Sequence, residues 1–229
     1  MILSHYHIDG PLSFDGATIN VLIIENRRML AEIIQELSSQ VSGEPGMFFL
    51  SDRGVEMPIS EKVALIVDPF SAELNERDML SKLYSRMKSD ALGEEQYSST
   101  YSVLAAIEKK IQDLSNRQPT TLEFSDLDII AIFRAMNVVF APSESLLEHL
   151  CDYIDVCSEY RKIALFVFIN LKSYLCEEDL ELFYSHLAYN KRNVLLLERC
   201  ESPLHPMEKV TIIDDDLCEI GFNKDDNKY

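Results

Sequence analysis

Apolar and polar positions along the chain fall into three kinds of pattern. Five short apolar runs, at 19–24, 63–67, 163–169, 194–197 and 210–213, are continuous and rich in β-branched residues. Unbroken runs of that length, rather than strict alternation, predict strands covered on both faces, as in a parallel α/β sheet. Most of them end in a polar or acidic residue: Glu25, Asp68, Asn170, Glu198 and Asp214. Helical spacing separates several runs. Met29, Leu30, Ile33, Ile34 and Leu37 share one face, and Ser42-Gly43 follows as a stop signal. The segment 177–189 opens with Glu177, Glu178 and Asp179, acids that suit a helix N-terminus. The third pattern is the alternation over 2–18, broken by Asp9-Gly10-Pro11 and Asp15-Gly16, which predicts a small antiparallel hairpin.

Residues 71–117 differ from this scheme. Leu80, Leu83, Tyr84 and Met87 form one apolar stripe, and Tyr97, Tyr101, Leu104, Ile111 and Leu114 form another, with Gly93 between them. The spacing predicts an antiparallel helical hairpin with a thin apolar face. A further apolar stretch, 129–140, predicts a helix containing Arg134. The expected organisation is therefore an α/β head formed by 1–70 and 118–229, with 71–117 inserted as a helical excursion.

The chain has 229 residues, enough for one sizeable core or two small ones. Its 39 acidic and 21 basic residues leave a net charge of −18. That excludes an indiscriminate polyanion binder, because nucleic-acid affinity rests largely on neutralising phosphates. It leaves room for a small basic patch and for a site built around divalent cations. No basic segment followed by an apolar one opens the chain, and no apolar run reaches the roughly 20 residues of a membrane span, so a cytoplasmic protein is expected. Cys151, Cys157, Cys176, Cys200 and Cys218 include no Cys-x-x-Cys pair and read as small buried hydrophobes.

Catalytic apparatus is hard to find. A phosphate-binding loop needs glycines that let backbone N–H groups approach the phosphates, yet there is no Gly-Lys pair, and Glu25-Asn26-Arg27-Arg28 follows the first buried run. The closing VTIIDDD resembles a magnesium-holding strand end without its glycine partner. His5, His7 and Asp9 alternate and would share a strand face, a weak beginning for a metal centre. No Gly-x-Ser-x-Gly elbow exists, and no cysteine has a histidine placed to activate it. One enzymatic alternative stays open: a metal-dependent nuclease or degenerate NTPase using Asp68, Glu198 and Asp214 at the sheet's carboxyl edge. Another alternative is a plain protein-interaction module.

Two acidic clusters and one lone base remain. Glu123, Asp126 and Asp128 precede the apolar stretch 129–140, where they could share a hard cation such as calcium or simply cap the helix. Asp214, Asp215, Asp216 and Glu219 read as a solvated strand end. Arg134 is the only base between residues 118 and 160, and reads as a surface side chain or as one facing a shared interface.

Several strings, taken in order, resemble the CRISPR-associated Csn family, subtype two, the spacer-acquisition accessory protein of type II-A systems, in its short form. They are VLIIE, LEFSDLDIIAIFRAMNV, ALFVFINLKSYL with its following acidic helix, VLLLE and VTIIDDDLCEI. The likeness spans nearly the whole chain. It implies a P-loop-NTPase-like head lacking Walker motifs, carrying a helical leg. It further implies a calcium-stabilised homotetrameric ring without catalytic activity, which threads double-stranded DNA ends and works beside the adaptation integrase and the effector nuclease. Carried over by position, Glu123, Asp126 and Asp128 match the calcium segment. Arg134, Arg53, His149, Arg161 and Lys162 match basic, DNA-contacting positions, with His149 standing where some relatives have lysine.

Overall fold

The computed structural model describes residues 1–222. Ten strands are β1 (Ile2–Ser4), β2 (Leu12–Ser13), β3 (Ile19–Ile24), β4 (Phe49–Asp52), β5 (Val55–Met57), β6 (Val63–Ile66), β7 (Leu165–Ile169), β8 (Asn193–Glu198), β9 (Glu208–Ile213) and β10 (Glu219–Phe222). Seven helices are α1 (Arg27–Val41), α2 (Ile59–Lys62), α3 (Arg77–Ala91), α4 (Tyr97–Ser115), α5 (Ile129–Ala135), α6 (Leu146–Val156) and α7 (Glu177–Tyr189). The fold is mixed α/β with two sheets. Among the described residues no helix is long and apolar enough to cross a membrane.

The five continuous runs became β3, β6, β7, β8 and β9, neighbours in one sheet of order β10-β9-β3-β8-β7-β6. All pairings among those five are parallel, and only β10 runs antiparallel. Their burial on both faces follows from their composition. Leu22 and Ile24, Leu165 and Val167, and Leu195 and Leu197 join Leu30, Ile33 and Leu37 of α1 in one cluster. Residues of opposite parity, including Phe166, Phe168, Val194 and Leu196, are equally buried. Phe183 of α7 meets Phe168 edge-on there, ring centroids 5.9 Å apart.

The start of the chain forms a hairpin as expected, but within a larger four-stranded sheet of order β2-β1-β4-β5. Strands β4 and β5 are joined by Arg53 and Gly54, with φ of 48° and 79°. Two consecutive positive φ values make the mirror-image turn whose twist suits a hairpin. Helix α1 begins at Asn26, whose side chain accepts from the N–H groups of Arg28 and Met29, and it ends at Ser42.

The described residues divide into two compact units: Met1–Glu73 together with those from Pro142 to Phe222, and Leu74–Ala141. Residues 118–141 therefore belong with the helical unit, not with the α/β unit to which the sequence reading gave them. The apolar stretch 129–140 is helical only to Ala135. Asn137 adopts a left-handed φ of 51°, which ends the helix, and the Asn75 side chain brackets Phe140 from both its N–H and its carbonyl. Helix α3 buries Met79, Leu83 and Tyr84 and packs against α5, and the Tyr84 hydroxyl donates to Val138 O at 2.9 Å. Helix α4 leaves much of its expected stripe exposed, including Tyr97, Tyr101, Ile111 and Leu114.

Candidate functional site

The sheet of the α/β unit is chemically polarised along its strands. At the amino ends of three neighbours, β6, β7 and β8, stand Lys62, Arg161 with Lys162, and Lys191 with Arg192. A cavity of about 300 Å³ opens there, lined by Ser158, Ile163, Lys191 and Arg192 together with Asp52. Ser158 and Ile163 bracket Arg161–Lys162 in the chain, and Asp52 adjoins Arg53. Strand order thus brings Arg161 and Lys162, two of the basic positions expected to contact DNA, to one edge, while Arg53 stands on the β4–β5 turn of the other sheet, next to the cavity-lining Asp52.

Local geometry presents these groups outward. Arg53 sits at the tip of the β4–β5 turn and is exposed. Lys162 ends a π-helical turn, 157–161, in left-handed conformation, with its ammonium 4.0 Å from Glu159. Lys191 is also left-handed and exposed, and its backbone lies against Gly16, where a β-carbon would come within 3.1 Å of it. Arg192 is held by Asp155 at 3.0 Å. Sequence reasoning passed over Lys191 and Arg192. The available signal was a basic pair directly before a buried run, the arrangement already noted at Arg161–Lys162.

The other two basic positions lie elsewhere. His149, on α6, donates from Nε2 to the carbonyl of Ala72 at 2.6 Å, which commits its ring to holding that segment. Arg134 belongs to the helical unit, exposed in the last turn of α5.

The carboxylates expected to hold calcium do not form a ready site. Asp128 caps α5 by accepting from Ile130 N and pairs with Lys88 Nζ at 3.1 Å. The Lys88 hydrogen bond, followed by that of Ile130, keeps its carboxyl below the usual range. Glu123 and Asp126 are exposed in the extended segment before it. Calcium takes six to eight oxygen ligands. Among the described residues no three His, Cys, Asp or Glu side chains gather as a metal requires.

The remaining candidates separate in the same way. His5 is buried, its Nδ1 accepting from His7 N and its Nε2 donating to Glu36 at 3.2 Å, so both nitrogens are used; burial lowers its pKa. Among the cysteines only Cys157 is fully buried, while Cys176, Cys200 and Cys218 are exposed, contrary to the sequence reading. Burial pushes the Cys151 thiol up to about 12, which suppresses its thiolate. At the carboxyl edge, Asp68 caps the turn 69–71 through Phe70 N and Ser71 Oγ, and Asp214 accepts from Cys218 N.

Glu198 has a different setting. It is 4% exposed, and desolvation lifts its pKa to about 7 despite hydrogen bonds from the N–H groups of Lys172 and Leu171. Beside it, Lys172 Nζ pairs with Glu208 at 2.8 Å, and the Tyr184 hydroxyl donates to the same carboxylate at 2.6 Å.

With this geometry in view, likeness to known proteins decides the family. The profile of the family described as CRISPR-associated protein (Cas_Csn2) matches residues 40–217. The chain belongs to the Csn2 family. It is 22% identical over 218 residues to the CRISPR-associated protein Csn2 of Streptococcus agalactiae, covering 94% of this chain and 96% of that one. For a Csn2 family member the role lies with CRISPR machinery. The family match does not by itself single out the amino-edge bases of this Csn2 chain.

Proposed function

We propose that this Csn2 family protein is a non-catalytic, sequence-independent binder of double-stranded DNA ends, acting as a cytoplasmic homotetrameric ring in spacer acquisition beside the adaptation integrase and effector nuclease. The observation that carries the reading is the placing of Arg161–Lys162 and Lys191–Arg192 at neighbouring strand ends, beside a cavity also lined by Asp52 next to Arg53, in a protein whose net charge is −18. Backbone phosphates are read by such bases without regard to sequence. The head fits a P-loop-like unit that has lost nucleotide chemistry. Where phosphates would meet the first helix after β3, Asn26 already satisfies the N–H groups of Arg28 and Met29. In this reading calcium is an ion held between subunits, Asp128 being already engaged within its own subunit by Lys88 and Ile130 N.

The test is a charge reversal. Lys162→Glu with Lys191→Glu should weaken binding to every duplex sequence and reduce the slope of log affinity against log salt by about one per lost contact. Arg134→Glu, on the helical unit, asks separately whether that base contributes. Reversing Lys110 on α4 is the control. Equal loss at Lys110 and at the amino edge would overturn the assignment.

A further inference from the structure

The carboxyl edge of the same sheet holds a cleft that the DNA-binding reading does not use. Two cavities of about 690 Å³ and 380 Å³ adjoin there, sharing Lys172 and Ser202. The smaller opens beyond the ends of β7 and β8, the place where open α/β sheets take their ligands, and the larger runs from there to His205 and Glu208 at the start of β9. The floor is fixed. Glu208, its side chain fully buried, receives Lys172 Nζ, the Tyr184 hydroxyl and His205 N–H. Lys172 is thereby spent inside the protein and offers little positive charge to the cleft.

The walls carry the opposite charge and apolar surface. Glu177, Glu178 and Glu181 line the larger lobe, and Glu201 lines the smaller beside Arg199, all of them exposed, so that acids outnumber the single exposed base four to one. Leu175 and Leu180 lie beneath the larger lobe with Leu204 exposed above it. Tyr174, beside the smaller lobe, stacks edge-on with exposed Phe70 at 5.4 Å. Carboxylates with apolar ground at both ends repel nucleic acid and suit a chain segment that alternates cations with large apolar side chains.

We infer that this two-lobed cleft is a docking surface for a basic, amphipathic segment of a partner protein. The occupant spans both lobes across Lys172, placing Arg or Lys side chains against Glu181 and Glu201 and apolar anchors on Leu204 and on the Phe70–Tyr174 pair. A small polyamine would satisfy the charge but leave the apolar ends uncovered. The smaller lobe lies at the opposite strand ends from the amino-edge bases, and the docking surface does not depend on the DNA reading.

The probes are three short fluorescent peptides: one of Arg and Leu at amphipathic spacing, one with Ser for Leu, and one with Glu for Arg. Anisotropy with the full chain should show binding of the Arg/Leu peptide alone. Glu181→Lys with Glu201→Lys should weaken it about tenfold, the equivalent of about 1.4 kcal/mol. The charge-matched control Glu32→Lys with Glu44→Lys should change it less than about twofold, a bound set by the weakness of remote screened charges. If the double reversal fails to fold, Glu181→Gln with Glu201→Gln should give a smaller loss in the same direction. No binding, equal binding of the Arg/Ser peptide, full displacement by spermidine with the Arg/Leu peptide no tighter, or indifference to both cleft variants would each overturn the inference. DNA binding is measured on the same samples. Its failure in the wild-type protein would sink the functional proposal and leave the peptide result standing.

Discussion

Glu198→Gln should flatten the pH dependence of stability. Burial lifts the carboxyl from its ordinary value of 4.5 to about 7. Below about 4.5 both folded and unfolded chains hold the proton, and the full stability is present. Between the two values the folded chain keeps a proton that the unfolded chain has released, so stability falls as pH rises, and the loss is complete above about 7. The whole difference is about 3 kcal/mol at 1.36 kcal/mol per pH unit. A glutamine fills the same space, can accept from Lys172 N and Leu171 N, and never ionises. The assay is urea unfolding followed by circular dichroism, at a series of pH values for both proteins. The isoelectric point near 4.6 sets the lower limit, because chains without net charge precipitate. Above pH about 5.5 the wild type should still lose about 2 kcal/mol that the variant keeps. All other titrating groups are common to both proteins, so their contribution cancels in the difference. Parallel curves would show that Glu198 ionises freely in the folded protein and would refute the reasoning.

Other outcomes follow from the same geometry. Asn75→Ala removes both hydrogen bonds that bracket Phe140, at 3.1 and 2.9 Å, and should destabilise the helical unit by about 1–3 kcal/mol, read as a lowered urea midpoint. Gly54→Val places a β-branched residue at a φ of 79° and should cost about 1–2 kcal/mol in the same assay, while Gly54→Asn should be milder. Because calcium is proposed to sit between subunits, it should raise the melting temperature only in proportion to assembly. A calcium effect independent of protein concentration would place the site within the single chain.

The strands were legible because a buried parallel strand needs an unbroken apolar run, and the five runs have no competing helical period. Helix α1 was legible from the helical spacing of Met29, Leu30, Ile33, Ile34 and Leu37, with Ser42-Gly43 as its stop; the Asn26 cap showed only in the structure. Strand β5 was missed because Val55–Met57 is too short and too exposed to carry a period, although Arg53-Gly54 marked its turn. The helix expected over 129–140 was overextended because Val138, Val139 and Phe140 fit either a helix or an extended segment. Asn137 and the bracket from Asn75, distant in sequence, decided the matter. The amphipathic stripe of α4 was visible, but a period cannot say whether a partner covers it. Site residues were legible singly and not as a group. Lys62, Arg161–Lys162 and Lys191–Arg192 stand at neighbouring strand ends only because β6, β7 and β8 lie side by side, an order no local pattern contains.

The central claim is binding of DNA ends by a closed ring, and topology tests it most directly. Linear duplex and a covalently closed circle of the same sequence are compared for affinity at matched salt and calcium. A ring that loads by threading needs an end, and its phosphate contacts carry no sequence information. The account predicts firm, salt-sensitive binding of the linear form and poor binding of the circle, with bulky groups on both ends of preloaded linear DNA preventing escape. Equal affinity for circle and line would contradict the ring, and binding of neither would contradict DNA recognition itself.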